Sequence, residues 1–427
     1  MIGAVRACAA RPDGSLEVLD GLRPAARSGR EIVPLVEDEL IPLPEGSSVM
    51  HLPDRAAYAI DGRGSVREID GLVAVAAVLP VGYLRLALPA SQPAQGAPRL
   101  PLFGYTAVAE RDGVLCAAAM RTDSHEWWSP PRFGTAELGP AIDAARVEMP
   151  GNRLVEHLVN CATVNRCYTA QNTLLRRYEG ALPASPACNA DCLGCISLQT
   201  DGAVAAPQDR MRFAPTADEL VELAAFHLSG EEAAIVSFGQ GCEGEPLTRD
   251  DVLAGAVRRI RRSHPDATIH INTNGSKPHV LAELIDAGCN SVRISAISFN
   301  DSVFRAYYRP VGYTLDDVIE CGRVMRAAGG QVCLNLLTFP GITDSPAELE
   351  STAAACREMD VQQVQWRSLN VDHDWLIAVL DAGGAVPAQG IGMRAAHAQL
   401  RAALPGAAHG NFTRPVQSER PVSPVVS

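Results

Sequence analysis

The stretch AAIVSFGQGCEGEPLTRDDVLAGAVRRIRRSHPDATIHINTNG, residues 233–275, holds a strand, a helix and a second strand in succession. Residues 233–239 and 268–274 are short apolar runs with β-branched side chains. Between them, residues 248–265 carry apolar side chains at helical spacing. Apolar strands that alternate with amphipathic helices are typical of a parallel sheet built from βα units. The stretch therefore predicts an α/β fold.

The same alternation continues toward the C-terminus, with further strands predicted at 291–298, 331–340 and 361–370. A short strand just before Cys188 would open the series and bring the count to six. Six strands are too few to close an eight-stranded barrel. The pattern therefore predicts either an open doubly wound sheet or a partial barrel, and in both the chemistry lies at the C-terminal ends of the strands.

The regions outside this alternation have other patterns. Short strand-like runs separated by Gly, Pro and Asp turns precede it, and the end of the chain, QSERPVSPVVS, lacks periodicity. We predict a β-rich N-terminal domain (1–150), a helical connector (151–182), a core barrel (183–372), a C-terminal helical extension (373–402) and a tail with little structure of its own (403–427).

Charge and composition narrow the class of protein. The formal net charge is −12 with 20% charged residues, which argues against duplex nucleic acid as the main partner. The N-terminal MIGAVRACAARPDG lacks the pattern of a secretion signal, and no apolar run approaches membrane-spanning length. We expect a cytoplasmic protein without membrane association, and its 12 cysteines indicate reduced thiols with metal or redox use rather than a disulfide framework.

Three of these cysteines lie in CNADCLGC, residues 188–195, and no further cysteine follows until Cys242. The spacing C-x3-C-x2-C lets three thiolates surround one small centre, whereas iron-sulfur clusters are normally held by four cysteines. A centre with three protein ligands keeps a position open for a small molecule. Alternatives are a zinc site completed by a distant His or Cys, and thiols without a metal.

The order of motifs resembles that of radical S-adenosylmethionine (SAM) enzymes over residues 183–372. The cysteine triplet follows a predicted first strand, GCEGEPL (241–247) resembles the Gly-Gly-Glu-Pro motif after the second, and INTNG (271–275) resembles a Thr-Asn-Gly motif after the third. One departure is Gly194, where family members usually carry an aromatic residue. The resemblance implies a partial (β/α)6 TIM-like barrel in which Cys188, Cys192 and Cys195 bind a 4Fe-4S cluster, Glu245 with Gly244 binds the methionine amino group of SAM, and Asn274 and Ser295 are weaker candidates for cofactor contacts.

By this resemblance, the reduced cluster transfers one electron to SAM, and the cleavage yields methionine and a 5'-deoxyadenosyl radical that abstracts hydrogen from a substrate. The cofactors then carry the chemistry, and we assign no catalytic residue beyond their sites. The substrate, a small molecule or a peptide, is not identified. A reducing partner such as flavodoxin or ferredoxin is expected.

Two alternatives stay open at this stage. One is a radical SAM methyltransferase that carries the methyl group on a thiol such as Cys333 or Cys356. The other is a non-catalytic iron-sulfur or zinc-binding protein, for example an electron carrier with a fourth cysteine ligand.

Other polar residues have both a functional and a structural interpretation. Cys161 and Cys167 could bind an auxiliary cluster or be core residues. Cys242 could be a reactive thiol or a small residue in a tight loop. The structural alternative also applies to possible substrate contacts on the predicted strands, namely Arg293, Trp366, Arg367 and Asn370.

Overall fold

The computed structural model describes residues 5–385 and 389–416. Its N-terminal part is a 12-stranded sheet in which every pairing is antiparallel, so the predicted β-rich domain is confirmed. The two longest strands form a hairpin whose turn is held by Asp61, which accepts hydrogen bonds from the N–H groups of Arg63 and Ser65. The strands are β1 (Arg6–Ala10), β2 (Leu16–Leu19), β3 (Arg23–Ser28), β4 (Glu31–Pro34), β5 (Leu40–Pro42), β6 (Ser48–Ile60), β7 (Val66–Val78), β8 (Tyr83–Arg85), β9 (Leu88–Pro89), β10 (Ser91–Pro93), β11 (Val108–Arg111) and β12 (Val114–Arg121).

The second sheet is parallel and has seven strands in sequence order. This order lacks the reversal of a doubly wound sheet, so the strands form a curled partial barrel, and the predicted fold class is confirmed. The strands are β13 (Arg177–Ala181), β14 (Glu232–Phe238), β15 (Thr268–Thr273), β16 (Ser291–Ala296), β17 (Gln331–Thr338), β18 (Gln363–Ser368) and β19 (Ala408–Gly410).

Helices precede this sheet and alternate with its strands. Their apolar faces, together with one face of the sheet, form the largest core of the molecule. Thr216 begins a helix with a capping box, because its Oγ1 accepts from the N–H of Glu219. The helices are α1 (Leu138–Glu148), α2 (Arg153–Thr163), α3 (Tyr168–Leu174), α4 (Ala217–Leu228), α5 (Asp250–Ser263), α6 (Pro278–Ala287), α7 (Asp301–Tyr308), α8 (Leu315–Ala327), α9 (Pro346–Glu358), α10 (His373–Ala382) and α11 (Met393–Ala403).

Two predicted boundaries are wrong. The helical connector was expected to extend to residue 182, but β13 lies inside it and pairs with β14. Its sequence RYEGA hides a buried strand, because Arg177 and Glu179 are polar and yet buried. The segment 403–416 was expected to have little structure, but β19 adds to the edge of β18. Residues 417–427 of the predicted tail lie outside the described residues.

The N-terminal domain lies against the C-terminal ends of the last barrel strands. The Arg85 guanidinium donates to the carbonyls of Thr338 and Leu369, at 3.4 and 3.3 Å. Arg55 on β6 and Asp372 at the start of α10 form a buried ion pair of 2.9 Å. The barrel end that should carry the chemistry is therefore partly covered by the N-terminal domain.

The segment 411–416 lies against the concave side of the barrel. Tyr178 on β13 donates its hydroxyl to the carbonyl of Thr413, and the N–H of Val416 donates to Thr268 Oγ1 at the start of β15. Because Thr268 is the first residue of its strand, this segment closes the N-terminal end of the barrel. In the described ranges, the helices are all too short or too polar to cross a membrane.

Candidate active site

The cysteine triplet lies in the loop that follows β13, and its three thiols are partly buried. A turn closes the loop, with the N–H of Cys195 donating to the carbonyl of Cys192. Burial, together with the charges of Cys195 and Cys188, raises the pKa of Cys192 well above its usual range, and burial and the charge of Glu245 raise the pKa of Cys188 to about 11. The thiols are thus close enough to oppose each other's ionisation. Three thiolates would be stable here only beside positive charge, which a metal centre supplies.

Arg210 is a neighbour of this triplet that sequence reasoning missed. Its Nη2 donates to Cys195 Sγ at 3.3 Å, and its Nε donates to Ser197 Oγ at 3.1 Å. A guanidinium beside a thiolate favours the charged form and hydrogen-bonds the sulfur. Arg210 lies 15 residues after Cys195 in an irregular loop, so no spacing or periodicity indicated this contact.

The loop after β14 is attached directly to the approach of the cysteine loop. The N–H of Gly244 donates to the carbonyl of Ser185 at 2.7 Å, and the N–H of Glu245 donates to that of Ala187 at 2.8 Å. A Cβ atom at position 244 would lie 1.9 Å from the Ala187 carbonyl oxygen. Only glycine allows the two backbones to approach so closely.

Glu245 is 3% exposed and has a carboxylate that is nearly saturated with donors. Its Oε1 accepts from the N–H of Leu247 and the hydroxyl of Thr273, and its Oε2 accepts from the N–H of Asn274, at 3.0, 2.6 and 2.8 Å. Burial raises the pKa of Glu245 to about 7. A carboxylate has about four acceptor positions, so roughly one remains on Oε2 for a further donor.

Asn274 joins the end of β15 to both loops. Besides its N–H bond to Glu245, its side-chain amide donates to Asn189 Oδ1 at 2.8 Å. Gly244, Glu245 and Asn274 therefore come together around the start of the cysteine loop. Ser295, on β16, has a different neighbour: its Oγ accepts from the amide of Asn335 on β17 at 3.0 Å.

Gly194 is explained by an aromatic residue from another element. A Cβ atom at position 194 would lie 2.7 Å from the hydroxyl oxygen of Tyr307 on α7. The carbonyl of Tyr307 also accepts from the N–H of Leu193 at 3.0 Å. Tyr307 thus leaves no room for a side chain at position 194, and the two residues are more than 100 positions apart, so no local motif could indicate this contact.

Glu243 differs from Glu245 although only one residue separates them. Its four hydrogen bonds all come from backbone N–H groups, those of Gly239, Gln240, Ala184 and Ser185. All of its acceptor positions are therefore used by the protein. Glu243 fixes the loop and has no capacity left for a ligand.

Alternate residues of each strand point into the concave face of the barrel, and several of them are polar. Arg293 donates to Gln365 Oε1 and Thr413 Oγ1, and Arg367 donates to the carbonyl of Asn411. These arginines bind neutral groups, and burial lowers the pKa of Arg293 from its usual value. Trp366 is fully buried and donates to His409, so it is a core residue. The Asn370 side chain oxygen lies 3.1 Å from the Cβ position of Gly104 in the N-terminal domain.

A second group of potential ligands lies on the other side of the β14 loop. His157 and Cys161 on α2 and Cys242 in the loop have their ligand atoms within 4.8 Å of one another. A hydrogen bond between the two thiols lowers the pKa of Cys161 and raises that of Cys242. Cys167 is adjacent, with its N–H donating to the carbonyl of Cys161 at 2.9 Å.

Residues 182–353 match the family model described as the radical SAM superfamily. This match covers the cysteine loop and the attached β14 and β15 loops. Residues 182–353 are therefore a radical SAM domain, which supports an enzyme of this class.

Individual proteins match this chain only at low identity or over part of its length. GTP 3',8-cyclase from Paenarthrobacter nicotinovorans is 33% identical over 135 residues, which are 31% of this chain, and the match spans only 37% of the cyclase. Among solved structures, the FeFe-hydrogenase maturase HydG from Carboxydothermus hydrogenoformans is 16% identical with a TM-score of 0.34, covering 64% of this chain and 70% of HydG. A radical SAM methyltransferase from Sphaerobacter thermophilus is 17% identical with a TM-score of 0.35, covering 50% of this chain and 65% of the methyltransferase.

Proposed function

We propose that Cys188, Cys192 and Cys195 hold a 4Fe-4S cluster and that Gly244, Glu245 and Asn274 bind SAM beside it. The observation that carries this proposal is the set of hydrogen bonds from Gly244, Glu245 and Asn274 to residues 185–189. When bound, the cluster and SAM supply a 5'-deoxyadenosyl radical, which abstracts hydrogen from the substrate.

The donor set of the cysteine loop fits such a cluster. The charges of the neighbouring thiols raise the pKa of Cys192, and Arg210 provides a positive charge at Cys195. Cysteine thiolates are the usual ligands of iron-sulfur clusters, and hydrogen bonds to their sulfurs adjust the reduction potential.

Glu245 fits the ammonium group of SAM for a reason specific to its contacts. Three donors hold the carboxylate rigidly, and roughly one acceptor position on Oε2 remains. A charge-assisted hydrogen bond from an ammonium would complete it. An ammonium would also favour the ionised carboxylate, whose pKa burial has raised to about 7.

The substrate is expected to bind in the polar concave face of the barrel. Segment 411–416 closes the N-terminal end of this face, so we propose that the substrate enters from the C-terminal ends of the strands. Ser295 and Asn335 are candidates for contacts there, because they form a neutral hydrogen-bonded pair on adjacent strands. A small polar molecule suits these groups, and GTP, named in the relative, is the first compound to test. Reduction by a flavodoxin or ferredoxin and a cytoplasmic location stay predictions.

Methyl transfer through a carrier thiol is the less favoured alternative. Burial raises the pKa of both Cys333 and Cys356 to about 12, so each is held as a neutral thiol, whereas the thiolate is the nucleophile. Cys333→Ala and Cys356→Ala variants with full turnover would remove this alternative.

The proposal is tested by anaerobic reconstitution with iron and sulfide, reduction with dithionite and measurement of 5'-deoxyadenosine formed from SAM. We expect about four irons per chain, and we expect both the iron and the 5'-deoxyadenosine to be lost in Cys192→Ala. Cys289→Ala is the matched control, since this buried thiol only donates to backbone carbonyls and should leave both unchanged. A Cys192→Ala protein that keeps its iron, or a wild-type protein that never takes up iron, would contradict the proposal.

A further inference from the structure

His157, Cys161 and Cys242 form a compact group outside the SAM site. His157 and Cys161 are four residues apart on α2 and so share one face of this helix. The loop after β14 brings Cys242 to that face. Both thiols are buried, at 0 and 3% exposure, and the imidazole is half-buried.

We propose that His157, Cys161 and Cys242 bind one zinc ion. Zinc prefers tetrahedral sites with thiolate and imidazole ligands, with Zn–S near 2.3 Å and Zn–N near 2.0–2.1 Å, which places a bound sulfur and nitrogen ~3.6 Å apart. His157 Nε2 and Cys161 Sγ lie 3.8 Å apart, and all three ligand atoms lie within 4.8 Å of one another. The group therefore has the dimensions of a site for a single ion.

The cysteine triplet at residues 188–195 differs from this group in its dimensions. Among the residues that the structure describes, 188, 192 and 195 do not form a set with all sulfurs within 4.8 Å, whereas 157, 161 and 242 do. Thiolates that bind separate irons of one cluster stand farther apart than ligands that share one ion. This contrast agrees with a cluster at the triplet and a single ion at His157, Cys161 and Cys242.

With three protein ligands the zinc ion would keep its fourth position open, but the position of Cys242 would still let it link separate elements of the fold. Cys242 is two residues before Gly244, and its carbonyl accepts from the N–H of Met211 at 2.9 Å. Arg210, the neighbour of Met211, donates to Cys195 of the triplet. A zinc ion would thus link α2 to the loop that carries Glu245. Through the hydrogen bond between Met211 and Cys242, it would also be connected to the loop segment 210–211, which contacts the triplet.

The test uses the full chain with Cys188, Cys192 and Cys195 all replaced by alanine, so that cluster iron does not compete. Metal analysis after anaerobic purification should find about one zinc per chain. Adding Cys161→Ala or Cys242→Ala should abolish it, whereas adding Cys356→Ala, a buried helix thiol outside the group, should not. Wild-type protein with a reconstituted cluster should also contain about one zinc per chain in addition to its iron. This second measurement tests the proposal even if the triple variant folds poorly.

Cobalt substitution gives an independent readout. Replacement of zinc by Co²⁺ should produce thiolate-to-cobalt absorption that is lost when Cys161 or Cys242 is replaced by alanine, because two remaining ligands do not hold the ion. Zinc that persists in both Cys161→Ala and Cys242→Ala, or its absence from wild-type and triple-variant protein alike, would overturn the proposal. A Cys161–Cys242 disulfide in protein purified anaerobically would also overturn it. None of these results depends on cleavage of SAM, so the zinc site and the proposed radical function can fail separately.

Discussion

Replacement of Glu245 by glutamine tests the assignment of this side chain as the partner of the SAM ammonium. The amide keeps the shape of the carboxylate but removes its charge and converts one acceptor oxygen into a donor. If the amide oxygen takes the place of Oε1, it still accepts from Leu247 and Thr273. The amide nitrogen then faces the N–H of Asn274, which loses its acceptor.

Two effects of different size follow. One buried N–H without an acceptor should lower the free energy of unfolding by about 1–3 kcal/mol. The lost charge-assisted hydrogen bond to the ammonium is worth about 1.5–3 kcal/mol, so SAM should bind roughly 10- to 150-fold more weakly. Iron content should remain that of the wild type, since Glu245 lies outside the cysteine ligands.

The assay is isothermal titration of reconstituted protein with SAM, combined with urea unfolding. Glu348→Gln is the matched control, because Glu348 is also a buried glutamate and has a hydroxyl donor, Ser298, but belongs to α9. We expect this control to lose stability and to keep its affinity for SAM. A folded, iron-loaded Glu245→Gln protein with wild-type affinity for SAM would refute the reasoning.

Three further predictions concern other parts of the structure. Gly244→Ala should incorporate far less iron than Gly255→Ala, because a Cβ at 244 meets a backbone oxygen at 1.9 Å while at 255 it meets nothing within 4 Å; equal iron contents would contradict this. Burial lowers the pKa of His270 to about 3, below its unfolded value near 6.5, so its contribution to stability is complete above pH 6.5 and is lost as the pH falls toward 3. From pH 6.5 to 5 the loss is about 2 kcal/mol, and urea unfolding of His270→Gln should show a correspondingly smaller pH dependence; an unchanged slope would argue against it. Asp372→Asn leaves the buried Arg55 guanidinium without its counter-charge, so thermal unfolding should reveal a loss of about 3–5 kcal/mol, and a loss below 1 kcal/mol would show that the pair is not buried in solution.

The local sequence predicted those features that depend on neighbours in the chain. The alternation of apolar strands and amphipathic helices predicted β14 to β18, because the apolar residues of each strand mark it as buried. The motifs CNADCLGC and GCEGEPL predicted a cofactor site through their resemblance to radical SAM enzymes, and loops at the ends of neighbouring parallel strands are expected to meet. Hydrogen bonds between Gly244, Glu245, Asn274 and residues 185–189 agree with that expectation.

Strands at the edges of the sheet escaped the same reasoning. β13 is buried because α3, β14 and the segment 411–416 pack on it. Its residues Arg177 and Glu179 are polar, so its sequence does not have the apolar pattern by which a buried strand is predicted. β19 is only three residues long and is held by its pairing with β18. Neither strand has a local apolar signature.

The sequence by itself determined the class of fold and predicted the cysteine loop and the glutamate proposed to bind SAM, since each rests on a short motif or on periodicity. Only the tertiary structure decided which distant side chains complete these sites. It places the Tyr307 hydroxyl next to Gly194, the Arg210 guanidinium next to Cys195, and Cys242 beside His157 and Cys161. Such contacts join residues far apart in the chain, and their energies depend on distance in space, which spacing along the sequence does not record.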